Sequence, residues 1–141
     1  MQIRRLVLSD MEQSYKLLNE LYDNEIEYAI FEKKYNNSLK DNNFYGIIAE
    51  ENGIILGVLI SRIVNRLVKS KDILFIDDLI VSKDCRSNGI GNLLLQNAIN
   101  FAKKQNCGTI ELKSYINNEK AHKLYEKIGF KKLHYAFKKN L

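Results

Sequence analysis

The stretch "VSKDCRSNGIGNLLLQNAINFAKK", Val81 to Lys104, decides the fold. It runs from the end of an apolar strand, through a loop holding Arg86, Gly89 and Gly91, into a helix. Leu94, Leu95, Ala98, Ile99 and Ala102 fall on one stripe of that helix. N–H groups at a helix start lack acceptors and lie at the positive end of the dipole, so they attract phosphate. Gly89 and Gly91 carry no side chain to block a close approach, and Arg86 adds positive charge. Two phosphate loops do not fit. The Rossmann fingerprint needs a third glycine where Leu94 stands, and the P-loop needs Lys then Ser or Thr where Asn92 and Leu93 follow Gly91. What is left is R-x-x-G-x-G between strand and helix, which either holds a phosphate or merely turns the chain.

Upstream, "IRRLVL" reads as a first strand. Ser9 or Asp10 then caps a helix with Leu17, Leu18, Leu21 and Tyr22 at helical spacing. A second helix is expected over about Glu27 to Leu39. "FYGIIAE" and "IILGVLISRIV" flank Glu51-Asn52-Gly53, a hairpin signal. "DILFIDDLIVS" is the next strand, apolar except for Asp77 and Asp78. Downstream, "TIELKSYI" reads as a strand, and Asn118 caps the helix "EKAHKLYEKI", which Gly129 ends. "FKKLHYAFKK" alternates as a closing strand should. The order β-α-α-β-β-β-α-β-α-β implies a mixed sheet covered by helices.

A chain of 141 residues with 45% hydrophobic content fits a single domain over residues 1–141. No apolar run reaches the length of a membrane span, and "MQIRRLVLSD" lacks the apolar region of a signal peptide, so the expected location is cytoplasmic. Cys85 and Cys107 are too few for a disulfide scaffold and, with His122 and His134, do not make a metal site. The net charge of +5 is spread over scattered lysine pairs, without the basic run that would point to nucleic acid.

Two spaced motifs carry a resemblance. Leu79-x-Val81-x(4)-Arg86-x-x-Gly89-x-Gly91 is followed by Asn118-x-x-Ala121-x-x-x-Tyr125-x-x-x-Gly129-Phe130. Together they resemble the GNAT superfamily of acyl-CoA-dependent N-acetyltransferases, over about Asp72 to Phe130. The resemblance implies a mixed, mostly antiparallel sheet of about six to seven strands, splayed between the fourth and fifth, with about four helices. It implies that Arg86, Ser87, Asn88, Gly89, Ile90, Gly91 and Asn92 wrap the pyrophosphate of acetyl-CoA. Leu79, Ile80 and Val81 would hydrogen-bond the pantetheine arm, and Asn118 would contact that arm or cap its helix. Lys83 stands where the family often has proline.

Amine acetylation poses two proton problems. An amine of pKa about 10.4 is mostly protonated at neutral pH, so freeing its lone pair costs ~4–5 kcal/mol and calls for a base. The departing thiolate, of pKa about 8.5, needs a proton donor. The resemblance puts Tyr125 beside the sulfur as that donor. Asp77 or Asp78 is the expected base, through water, since adjacent strand residues face opposite ways and carboxylates in an apolar strand are costly without a role. Glu50 and Glu111 are weaker candidates for the base. A backbone N–H near Leu79 or Ile80 would polarise the thioester carbonyl. His122 is a minor candidate for contact with substrate or cofactor.

The resemblance implies that the acceptor, a primary amine on a small molecule or peptide, is read by Glu20 to Asp41, Asn65 to Asp72 and the closing hairpin. "AHKLYEKIGF", the closing "FKKNL" and "FEKKYNNSLKDNNFY" bear a fainter similarity to aminoalkylphosphonate-type acetyltransferases. A homodimer through the closing strand is expected, with no nucleic acid or membrane partner. Two other classes compete: a CoA-binding regulatory module without catalysis, which the presence of Tyr125 opposes, and a basic nucleic-acid-binding domain.

Overall fold

Apolar alternation and a few well-placed turns build a sheet whose strands lie side by side in sequence order, β1-β2-β3-β4-β5. In this computed structural model, which describes residues 1–141, β1 (Gln2–Arg5) leads through a short 3-10 turn into α1 (Met11–Leu21) and α2 (Tyr28–Leu39). Then come β2 (Phe44–Glu51), β3 (Ile54–Val64) and β4 (Ile73–Val81). They are followed by α3 (Ile90–Lys104), β5 (Thr109–Leu112) and α4 (Glu119–Ile128). The first four strands are antiparallel to their neighbours, and β5 joins β4 in parallel. Asn52 and Gly53 both take positive φ, 52° and 79°, the turn geometry that suits the twist of a β2–β3 hairpin.

Alternation splits the core between the two sheet faces. Ile48, Val58 and Ile80 pack with Leu17 and Leu18 of α1 and Tyr35 of α2. The other face takes α3, whose Leu94, Leu95 and Ala98 are fully buried. A Cβ on Gly57 would lie 3.0 Å from Leu94 and 3.1 Å from Ile90, so the missing side chain lets α3 sit close on β3. Tyr45 of β2 stacks on Phe101 of α3 at 3.6 Å between ring centroids.

Asp10 occupies the N-cap position of α1, but its side chain makes no capping bond. Its carboxylate takes two bonds from Arg4, at 2.7 and 2.9 Å, and one from the Val7 N–H at 2.9 Å. Burial alone would raise this carboxyl; the Arg4 and Val7 hydrogen bonds and the Arg4 charge bring it below its ordinary value.

The chain divides into two compact units, Met1–Glu111 and Leu112–Leu141. In the second, Asn118 caps α4 by accepting from the Ala121 N–H at 3.3 Å, and Gly129 ends the helix at φ 109°. The sheet has five strands, not the expected six to seven. The closing stretch 131–141 is not a strand, although Leu133, Tyr135 and Phe137 alternate as predicted. A strand exists only by ladder bonds to a neighbour, and this stretch makes none; Leu133, Tyr135 and Phe137 are exposed.

Candidate active site

The glycine loop forms a helix start with no side chain over it. Gly89 is the N-cap of α3 at φ 80°, a left-handed conformation that glycine adopts without strain, and no side chain caps the helix. The first amides of α3, from Ile90, Gly91 and Asn92, therefore have no intrahelical acceptor. A Cβ on Gly89 would meet nothing within 4 Å, so the approach is open. Ser87, at φ 69°, turns the loop a second time. Arg86 does not reach into this space through its Nε, which donates to the Val81 carbonyl at 3.1 Å and ties the loop to the end of β4.

That end of β4 has an open edge. The Ser82 N–H donates to the Leu56 carbonyl at 2.8 Å, and hydrogen-bonded pairs recur at every second residue of an antiparallel ladder. Ile80 therefore exchanges its bonds with Val58, its partner in register, while Leu79 and Val81 turn their N–H groups to the opposite edge. On that edge β5 is only four residues long against nine for β4, and the pair is tied at its beginning, where the Gly108 N–H donates to Asp72 O at 2.8 Å. Past β5, an extended ligand lying like a strand would meet the Leu79 and Val81 amides.

The two aspartates differ from expectation in how they face. Ile60 lies opposite Asp78 but Ser61 opposite Ile76, so Asp77 is the extra residue of a β-bulge. The bulge breaks strict alternation and turns both carboxylates toward the face that carries α1. Asp78 accepts a hydrogen bond from the hydroxyl of Tyr22, at the end of α1. Asp77 takes the Arg62 Nε at 2.8 Å. Burial pushes the Asp78 carboxyl above its ordinary value; the Tyr22 bond and Arg62 oppose this, and the Asp77 charge adds to it. Neither Tyr22, read in the sequence as part of an apolar stripe, nor Arg62 stands out as a site residue before folding. The only sequence signal for Arg62 is its charge within an otherwise apolar strand.

The remaining candidates have partners of their own. Glu50 receives the Arg4 Nε at 2.6 Å, and Glu111 receives the Thr109 hydroxyl at 3.0 Å. Cys85 and Cys107 are free thiols, and no cluster of His, Cys, Asp or Glu could hold a metal. Within the second unit, Tyr125 is half-buried on α4 with its ring edge-on to Phe130, 6.0 Å between centroids. Burial pushes its phenol above the ordinary value, so it stays protonated at neutral pH. His122 is half-buried on the same helix.

Residues 8–130 match the acetyltransferase (GNAT) family. The chain belongs to that family. It is an acyltransferase, and acetyl-CoA is its cosubstrate. It is 29% identical over 140 residues to the aminoalkylphosphonate N-acetyltransferase of Salmonella typhimurium, covering 99% of this chain and 91% of that one. A crystal structure of a transcriptional regulator from Bacillus halodurans superposes with a TM-score of 0.93 at 26% identity, covering 99% of both chains. The aminoglycoside N-acetyltransferase AAC(6')-Iy, solved in complex with CoA, shares the fold with a TM-score of 0.88 at 15% identity, over 99% of this chain and 93% of that one. The uncapped start of α3 and the open edge of β4 suit a phosphorylated, extended cosubstrate on physical grounds as well.

Proposed function

We propose that the chain works as a single N-acetyltransferase domain that moves the acetyl group of acetyl-CoA to a primary amine on a small molecule. The observation that carries this is the pair of carboxylates at the bulge, an exposed Asp77 and a half-buried Asp78, beside the open edge of β4. In this reading the Ile90, Gly91 and Asn92 amides hold pyrophosphate, with Arg86, Ser87, Asn88 and Gly89 shaping the loop. Leu79 and Val81 bind the pantetheine arm, and the N–H of Leu79 is best turned to polarise the thioester carbonyl. Asn118 orders the start of α4.

Asp78 takes the proton from the amine through water. Burial raises its pKa above the ordinary carboxylate value, and a carboxylate whose pKa rises toward the working pH is a better base. Asp77 is already engaged by Arg62, which makes it a positioning residue in this scheme. As the amine nitrogen bonds to the acetyl carbon, the carbon–sulfur bond breaks and the Tyr125 hydroxyl gives its proton to the departing thiolate. The amine attacks directly while both substrates are bound, so no acyl-enzyme forms.

The acceptor class follows the likeness to the Salmonella typhimurium aminoalkylphosphonate N-acetyltransferase. No helix is long and apolar enough to cross a membrane, and we place the reaction in the cytoplasm. The exposed side chains of Leu133, Tyr135 and Phe137 support a homodimer through the closing stretch; a light-scattering mass near 16.4 kDa would reject it. The test of function is a panel of primary amines with acetyl-CoA, followed by release of free thiol. Release that depends on the amine is expected. Its absence with every amine would defeat the reading.

A further inference from the structure

Arg62 stands on the same sheet face as Asp78, yet no step above uses it. Asp78 lies opposite Ile60, and Arg62 is two residues further along β3, a separation of about 7 Å on one face. Only its Nε is engaged, by Asp77 at 2.8 Å, so both Nη groups are without a protein partner. The Arg62 side chain is 54% exposed against 26% for Asp77, so a ligand from solvent can reach the guanidinium. Such a fork binds a planar or tetrahedral oxyanion through two parallel hydrogen bonds, which an ammonium cannot do.

We propose that Arg62 determines acceptor specificity by binding an anionic group, phosphonate or carboxylate, carried by the amine that Asp78 deprotonates. The inference rests on the acetyltransferase reading and its acceptor class, and adds to them the residue that reads the anionic end of the amine. The separation suits an ammonium and an anion joined by a short carbon linker, one end at Asp78 and the other at the Nη edge of Arg62. Charge agrees. The cluster holds two carboxylates and one guanidinium, and a zwitterion places its positive end on the first and its negative end on the second. An amine with an apolar tail would leave the guanidinium without a counter-ion from the substrate. Asp77 serves here as the residue that aims Arg62.

The experiment compares aminoethylphosphonate, β-alanine and n-propylamine as acceptors for the full chain and for Arg62→Gln and Arg62→Lys. The parent should favour the anionic amines over n-propylamine. In Arg62→Gln that preference, the ratio of kcat/KM values, should fall by about 10–100-fold, the worth of a charge-assisted hydrogen bond. The loss should lie mainly in KM for the anionic amines. Arg62→Lys should restore part of it, because the charge returns without the fork. Aminoethylphosphonate well ahead of β-alanine would name the phosphonate as the natural anion; the reverse would name the carboxylate. Equal losses on all three amines would make Arg62 a structural partner of Asp77 and overturn the proposal, as would a parent that prefers n-propylamine. If the parent acetylates none of the three, this proposal fails. Amine-dependent thiol release across the wider panel would still decide the acetyltransferase reading separately.

Discussion

A side chain at Gly89 should remove cosubstrate binding and leave the fold standing. Gly89 holds φ 80°, and a residue with a Cβ pays about 1–2 kcal/mol to stay there. No clash adds to this, since a Cβ there meets nothing within 4 Å. For a chain of this size 1 kcal/mol is worth ~3–4 °C in Tm, so Gly89→Val should melt ~3–8 °C below the parent and still cooperatively. Acetyl-CoA at about 100 times its Kd adds ~2.7 kcal/mol to the folded state, or ~8–11 °C on the same scale. The valine side chain would stand ahead of the Ile90, Gly91 and Asn92 amides and should reduce that rise to ~2 °C or less. Gly89→Asn separates strain from blockage, because asparagine tolerates the left-handed region. It should melt close to the parent and also lose the ligand shift. Thermal denaturation with and without acetyl-CoA reads all three proteins. A full shift in both variants would show that Gly89 only turns the chain, and the phosphate site would have to lie elsewhere.

Tyr125→Phe keeps the ring and removes the hydroxyl, so turnover should fall ~10²–10⁴-fold while acetyl-CoA affinity changes little, read by steady-state kinetics and titration. Near-normal turnover would make water the acid. Asp78→Asn should lose rate most at low pH, where the amine is most protonated, and partly recover as pH rises. Asp77→Asn should keep the shape of the pH–rate profile and lose only ~0.2–1 kcal/mol of stability with its exposed pair to Arg62. The raised folded pKa of Asp78 means its contribution to stability is present below its ordinary value of 3.8 and is lost as pH rises through the folded value. Asp78→Asn should therefore not destabilise the protein at neutral pH, as urea unfolding would show. Asp10 has the opposite sign. Its pKa is depressed, so its contribution is present above 3.8 and is lost as pH falls through the folded value. Asp10→Asn should cost roughly 2–3 kcal/mol at neutral pH, and the gap should narrow in acid.

Legibility in the sequence followed the range of the forces. The Asn52-Gly53 turn, the Asn118 cap and the Gly129 stop are local devices, set by a few dihedrals and one or two hydrogen bonds, and all three stand where the residues imply. The α3 stripe was legible because burial on one face of a helix imposes its own period. The bulge at Asp77 was not, since it arises from the registry of β4 against β3, which strand periodicity cannot encode. With the bulge hidden, Asp77 and Asp78 read as facing opposite ways, and Tyr22 and Arg62 had no visible link to them. Asp10 looked like a helix cap for the same reason: its partner Arg4 comes from the neighbouring strand. The closing stretch failed differently. Its alternation is real, but alternation specifies which side faces a core, not which strand will bond to it.

Acetyl-CoA and the amine should both be bound when the acetyl group moves. Initial rates of thiol release over a matrix of acetyl-CoA and amine concentrations read this. Double-reciprocal lines that intersect are predicted, because the amine attacks within a ternary complex. Parallel lines would indicate an acyl-enzyme formed before the amine binds. That result, or release no faster than without amine, would contradict the account.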